Sequence, residues 1–169
     1  MADKYVKLEV GVQEEVIATV QSTGVPEAGD IIALDPTGFI HPSLLPPGAG
    51  PDLTLLPTSE DLSAGDLVNI YNDVGIATAR KADGTVVGKE AIGYVLEAST
   101  SGNNASVHLD GLNTQLSGLT PGNTYYLSDT AGAVTDTPLA TPGNFSQRVG
   151  KALGTSSLAF EKHSGTILA

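Results

Sequence analysis

The sequence predicts an all-β protein, and three observations support this fold class. A short motif, in which a turn glycine precedes an apolar strand, recurs along the chain. Turn-forming pairs such as Asp83-Gly84 separate short runs that are rich in β-branched residues. The 10 prolines and 20 glycines leave little uninterrupted sequence for a regular helix.

The recurring motif defines an internal repeat. Residues 64–70 (AGDLVNI) and 121–127 (PGNTYYL) share a turn glycine followed by a strand, and residues 28–34 (AGDIIAL) form a looser third copy. After each of the two later copies, further glycines follow at the same distances, at Gly75 and Gly93 and at Gly132 and Gly150. The repeat predicts that one small β unit has been used twice, in halves of about 61–111 and 117–162.

The N-terminal part of the chain is predicted to consist of strands. Residues 5–12 alternate between the two faces expected of a half-buried strand. Residues 14–21 could form a short helix or a strand, and their β-branched side chains favour a strand. Residues 30–34 form a short apolar strand, and residues 35–38 (DPTG) form a β-turn. We therefore assign residues 1–40 to an N-terminal β segment or arm.

Residues 41–60 are dense in proline and leucine. Because proline disfavours a regular helix or a central strand, this segment is interpreted as an extended strap. A solvated linker would carry Ser, Gly and charge instead of leucines, so the strap either folds over its own domain or docks on a neighbouring chain. The candidate intersubunit contacts are its leucines, Leu44, Leu45, Leu53, Leu55 and Leu56.

Residues 61–169 are predicted to form a small β-barrel or β-sandwich, because short strands and turns follow each other closely. The sequence does not decide between these two topologies. The predicted strands are residues 67–72, 75–81, 91–98, 105–110, 124–127, 134–137, 147–153 and 158–161.

No catalytic or metal-binding constellation can be assembled from the sequence. The three histidines, His41, His108 and His163, lie in separate segments without partners at metal-ligand spacing. No Gly-x-Ser-x-Gly elbow or phosphate-binding loop is present. The acidic and amide residues that follow the repeated turn glycines are interpreted as turn caps, namely Asp30, Asp66 and Asn123. We therefore expect no enzymatic activity, no cofactor and no metal.

Charge and hydropathy restrict the partners. The formal net charge is −11, from 19 acidic and 8 basic side chains. Such a surface would repel nucleic acid, whose binding depends on lysine and arginine contacts to phosphate. The sequence contains neither a long apolar run nor a signal-peptide pattern. We therefore expect synthesis in the cytoplasm and no membrane partner.

Several stretches resemble structural proteins of tailed bacteriophages, in particular head decoration (cement) proteins. The C-terminal stretches are also similar to a module that phages place in tail fibres and other virion parts. The resemblance extends over roughly residues 27–169 and rests on turn glycines and strand residues. The stretches that carry it are residues 32–46, 62–70, 81–83, 91–95, 118–127 and 149–153.

The resemblance implies a protein of the virion that binds the outer surface of the capsid as a homotrimer. Such proteins hold neighbouring subunits of the major capsid protein together. On this interpretation the leucines of the strap bury surface between subunits, and an N-terminal strand adds to the sheet edge of a neighbour.

Two alternatives remain open. The chain could be a tail-fibre or baseplate component whose β module contacts a receptor or glycan, and exposed aromatic residues near loop tips, such as Tyr71 and Phe145, would favour it. It could also be a hydrolase, which would require a paired acid and base in a cleft, but Glu60 and Asp61 have no identifiable partner.

Overall fold

The computed structural model describes residues 4–9, 12–20, 31–34, 38, 40, 44 and 52–169. The chain divides into two compact units, Met1–Pro51 and Asp52–Ala169. The described residues contain fourteen strands and no α-helix, so the predicted all-β fold class is confirmed.

The first unit contains a two-stranded antiparallel sheet. It consists of β1 (Lys4–Glu9) and β2 (Val12–Ile17), with Tyr5 opposite Val16. After β2, Thr19 forms an isolated parallel bridge with Ile32. The predicted strand over residues 5–12 corresponds to β1, which ends at Glu9, and β2 begins and ends earlier than the predicted strand over residues 14–21. Of the predicted strand over residues 30–34, the described residues show only the bridge at Ile32, and residues 35–37 of the predicted turn lie outside the described residues.

The second unit contains two five-stranded antiparallel sheets and one two-stranded sheet. The five-stranded sheets have the orders β3-β7-β6-β4-β5 and β10-β9-β12-β13-β8, and β11 pairs with β14. The eight strands predicted after residue 61 coincide with β4–β7, β9, β10, β12 and β13. The bounds are β3 (Leu53–Pro57), β4 (Leu67–Asp73), β5 (Ile76–Lys81), β6 (Gly93–Val95), β7 (Asn104–His108), β8 (Gly111–Asn113), β9 (Thr124–Leu127), β10 (Val134–Thr135), β11 (Phe145–Ser146), β12 (Arg148–Ala152), β13 (Leu158–Phe160) and β14 (Thr166–Ile167).

The internal repeat is visible in the topology. Strands β3 to β7, here called the first half, have the same sheet order as their equivalents β8, β9, β10, β12 and β13, here called the second half. Equivalent backbone hydrogen bonds also recur, since the N–H of Gly65 donates to Val95 O and that of Gly122 donates to Ala152 O, both at 2.8 Å. The first half begins at β3, so the repeat and the compact unit both start earlier than the boundary at residue 61.

The first sheet closes into a small barrel. Directly after β3, Thr58 forms a parallel bridge with Ala79 in β5, and the N–H of Ser59 donates to Ala79 O at 3.0 Å. The first and last strands in the sheet order, β3 and β5, are therefore joined directly. The interior is filled mainly by alanine and valine side chains with one leucine, which suits the narrow lumen of a five-stranded barrel. These interior residues are Leu62, Val68, Ala79, Val95, Ala105 and Val107.

A second buried cluster joins the two halves. It combines inward residues of the second half with residues on the outer face of the first barrel, such as Leu67 and Tyr94. The Tyr94 ring lies 5.4 Å from that of Phe160, centroid to centroid. The outer face of the first half is therefore a docking surface for the second half. The remaining members include Ala82, Ala91, Tyr125, Leu127, Phe145, Val149 and Leu158.

Candidate functional site

Strand β3 presents leucines on two different faces. Leu53 and Leu55 are 42% and 61% exposed, whereas Leu56 is half-buried and packs against the barrel interior. This alternation follows from the period of two in a strand. Two of the predicted contact leucines are therefore available to a partner, and a third supports the fold. Of the other two, Leu44 is half-buried in the first unit, and Leu45 lies outside the described residues.

The prediction that residues 41–60 form a single extended strap is wrong for residues 53–57. These residues are β3, which pairs with β7 from Leu53 opposite His108 to Pro57 opposite Asn104. Proline is tolerated at this place because Pro57 is the last residue of the strand, where the missing N–H does not interrupt the ladder. The exposed leucines therefore sit on a fixed strand.

A cavity of about 190 Å³ is lined by Leu53 of β3 together with Leu96, Glu97, Ser106 and His108. The imidazole of His108 stacks on the ring of Tyr94 with 5.2 Å between centroids. Burial lowers the pKa of His108, and the nearby Glu97 partly opposes this shift. Burial also raises the pKa of Tyr94, with a further contribution from Asp110. Burial therefore favours the neutral form of the His108 imidazole.

The predicted turn caps behave differently. The carboxylate of Asp66 accepts the N–H of Ser63 at 2.9 Å and also pairs with Lys81 at 3.2 Å. Within 52–169, the Asn123 side chain makes no such bond, and the backbone N–H of Asn123 closes its turn by donating to Thr120 O. Capping at Asn123 is therefore supplied by the backbone. Asp30 lies outside the described residues.

One face of the sheet in the first unit carries exposed apolar side chains among polar ones. Val6 and Leu8 of β1 are 65% and 69% exposed, and Ile17 of β2 lies on the same face. On the same face, Glu15 lies opposite Val6 and Gln13 opposite Leu8, and the Lys4 ammonium pairs with the Glu15 carboxylate at 3.0 Å. Sequence analysis predicted the strand but not this exposure, because alternation alone does not show whether the apolar face is covered.

A cavity of about 390 Å³ lies beside β11, and Phe145, Gln147 and His163 are among the residues that line it. The buried Gln147 at its wall is fully engaged, because its amide accepts from Ala91 N–H and donates to Ala91 O and His163 O. The imidazole of His163 lies 3.1 Å from the Glu161 carboxylate at the exposed rim. The described part of the chain contains no group of three potential metal ligands.

The aromatic residues that would favour contact with a receptor are not exposed at loop tips. Phe145 is buried in the cluster between the halves. Tyr71 is half-buried, and the guanidinium of Arg80 lies 4.3 Å from its ring centroid. The outward-facing aromatic of the second half is instead Tyr126, which is half-buried opposite Arg148.

Comparison with known protein families finds no family model that matches this chain. A search of curated proteins also finds no significant match. Among the described residues, no helix has the length and apolar character needed to span a membrane.

Proposed function

We propose that this protein is a bacteriophage head decoration protein. It binds the outer surface of the capsid as a homotrimer and stabilises the contacts between subunits of the major capsid protein. The sequence resemblance supplies this proposal. The observation that best supports it is the exposure of Val6, Leu8 and Ile17 on one face of the two-stranded sheet formed by β1 and β2.

Among the described residues β1 and β2 form a sheet of only two strands, and such a sheet by itself is marginally stable in water. The β1–β2 sheet exposes Val6, Leu8 and Ile17 in addition. Docking on a neighbouring coat subunit would bury these side chains and extend the sheet through backbone hydrogen bonds. The N-terminal unit is therefore the proposed capsid-binding arm.

The exposed leucines of β3 provide the second contact. Leu53 and Leu55 point away from the barrel on a strand that is fixed at both ends of its ladder. Burial of one leucine side chain contributes about 1.5–3 kcal/mol. Since many equivalent sites lie on one lattice, modest contacts by linked copies sum to a tight attachment.

The proposed protein acts by reinforcing the capsid and not by catalysis. A protein that binds the assembled lattice and not its separated subunits stabilises the assembled state by mass action.

Mixing experiments with capsids that lack this protein test the proposal. We expect the full chain to bind and to raise the temperature at which the capsids open, whereas the variant Val6→Asp/Leu8→Asp should do neither. Equal binding by the variant would contradict the proposed arm.

A further inference from the structure

The hairpin formed by β4 and β5 ends in a strained and exposed turn. Its two turn residues, Val74 and Gly75, have φ values of 50° and 89°, as in the type I′ turn of a two-residue hairpin. Such a turn favours Asn or Gly at its first position, and a β-branched residue is strained there. The Val74 side chain is 98% exposed. It therefore adds almost no packing that would compensate the strain within the part of the chain that the structure describes.

The strained turn belongs to a larger apolar surface. Thr58 and Ala79 form the parallel bridge that closes the first sheet, and both are buried. Leu55 and Ile76 each lie three positions before this bridge on neighbouring strands, so their side chains point to the opposite, outer face. They are 61% and 59% exposed. We call this surface the tip patch, and it consists of Leu53, Leu55, Val74 and Ile76.

The charges around the tip patch restrict what can cover it. Asp52 and Asp73 precede Leu53 and Val74 in the chain, and both are exposed. Together with the net charge of −11, these carboxylates disfavour contact with anionic lipid or nucleic acid. A two-fold contact between the tip patches of two copies would place like charges in one interface. The charges therefore favour a different protein as the occupant.

Two residues of the tip patch, Leu53 and Leu55, already belong to the proposed contact with a coat subunit. We propose that the β4–β5 hairpin extends this contact, and that Val74 and Ile76 insert into an apolar cleft of the major capsid protein. The inference rests on the proposed function and names the chemistry of the partner surface. It accounts for the strain at the turn, because the valine side chain is useful only when a partner covers it.

Co-sedimentation of the full chain with capsids that lack it, over a concentration series, tests the inference. Val74→Asn places a favoured residue in the turn and removes the apolar side chain. We expect its melting temperature to equal or exceed that of the wild type, while its dissociation constant for capsids rises about tenfold or more. Val74→Thr keeps the shape and the strain of the side chain, and it should also weaken binding. Unchanged affinity of both variants would overturn the inference.

Leu153→Asn is the matched control. Leu153 is also an apolar turn residue, 64% exposed, but it lies in the connection between β12 and β13 of the second half. This variant should bind capsids like the wild type. A loss of affinity equal to that of Val74→Asn would show a general effect of exposed apolar side chains and would overturn the inference.

Two further measurements separate the possible occupants. Sedimentation velocity without capsids compares self-association of the wild type and Val74→Asn, and flotation with phosphatidylglycerol vesicles compares their binding to lipid. Neither should differ between the two chains. A loss in either assay would assign the tip patch to a second copy or to lipid and would overturn the inference. A wild type that does not bind capsids contradicts the proposed function, whereas equal binding of wild type and both Val74 variants contradicts only this inference.

Discussion

Two glycines allow neighbouring strands of each half to approach closely. A Cβ atom at Gly93 would collide with the carbonyl oxygen of His108, and one at the equivalent Gly150 would collide with that of Ala159. Gly93 lies in β6 and Gly150 in β12, and each of these is the middle strand of its five-stranded sheet. The strands on either side therefore cannot move aside. The repeated glycines therefore mark a repeated packing requirement.

Substitution of these glycines should be costly. We expect Gly93→Ala and Gly150→Ala each to lower the free energy of unfolding by about 2 kcal/mol or more, because the added methyl group overpacks a closed sheet. Gly102→Ala, where a Cβ atom would meet open space, should cost about 1 kcal/mol from its positive φ alone. Urea denaturation monitored by circular dichroism measures all three, and equal losses would contradict the close approach.

His108 should make stability depend on pH. Burial lowers the pKa of this histidine, so the folded state binds the proton more weakly than the unfolded chain does. Its contribution to stability is complete above the ordinary histidine pKa of about 6.5, and it is lost as the pH falls from there through the lower pKa of the folded state. His108→Gln, which cannot be protonated, should flatten this part of the profile. Urea midpoints measured at pH values on both sides of 6.5 test this, and identical slopes for both chains would refute it.

At the scale of single elements, strand β3 combines a folding role with an exposed surface. We expect Leu56→Ala to lower the free energy of unfolding by about 2 kcal/mol, because this side chain packs against the barrel interior. Leu55→Ala should change it by less than about 0.5 kcal/mol, because its side chain is exposed. Thermal unfolding of the two variants compares them directly. The reverse order of stabilities would show that the register of β3 is wrong.

The two leucine variants should act in the opposite order on binding. Under the proposed function, Leu55→Ala weakens attachment to capsids while leaving the fold intact. Leu56→Ala destabilises the barrel and leaves the outer surface of β3 unchanged. A pull-down with capsids at a temperature where both variants are folded separates the two effects.

The sequence was informative about elements that are defined locally. The turn glycines Gly65 and Gly122 marked the repeat, and the strands that follow them are β4 and β9. Strand β3 was missed because the surrounding prolines were taken to exclude strands, although that restriction applies to central positions and not to a strand end such as Pro57. Local pattern also could not predict that Val74 is exposed under strain, because a turn signal gives no information about what covers the turn.

At the scale of the whole molecule, the choice between barrel and sandwich depends on long-range contacts. The bridge from Thr58 to Ala79 closes the first sheet, and no local motif predicts it. The docking of the second half on Leu67 and Tyr94 likewise depends on side chains that are far apart in sequence. The composition limited the fold class, but the pairing of distant residues determined the topology.

The second unit should fold without the first. Both buried clusters are built from residues of 52–169. We therefore expect a chain that begins at Asp52 to show a cooperative thermal transition and the far-ultraviolet spectrum of a β protein. Under the proposed function it should bind capsids more weakly than the full chain, because it lacks β1 and β2. A non-cooperative transition would contradict the independence of the second unit.

If a phage encodes this protein, as the proposed function requires, the most direct test is its copy number in purified particles of that phage. Quantitative mass spectrometry measures this number relative to the major capsid protein. A decoration protein on a symmetric lattice predicts about one copy per coat subunit, because only the capsid offers so many equivalent sites. A handful of copies per particle, or none, would contradict the proposed function.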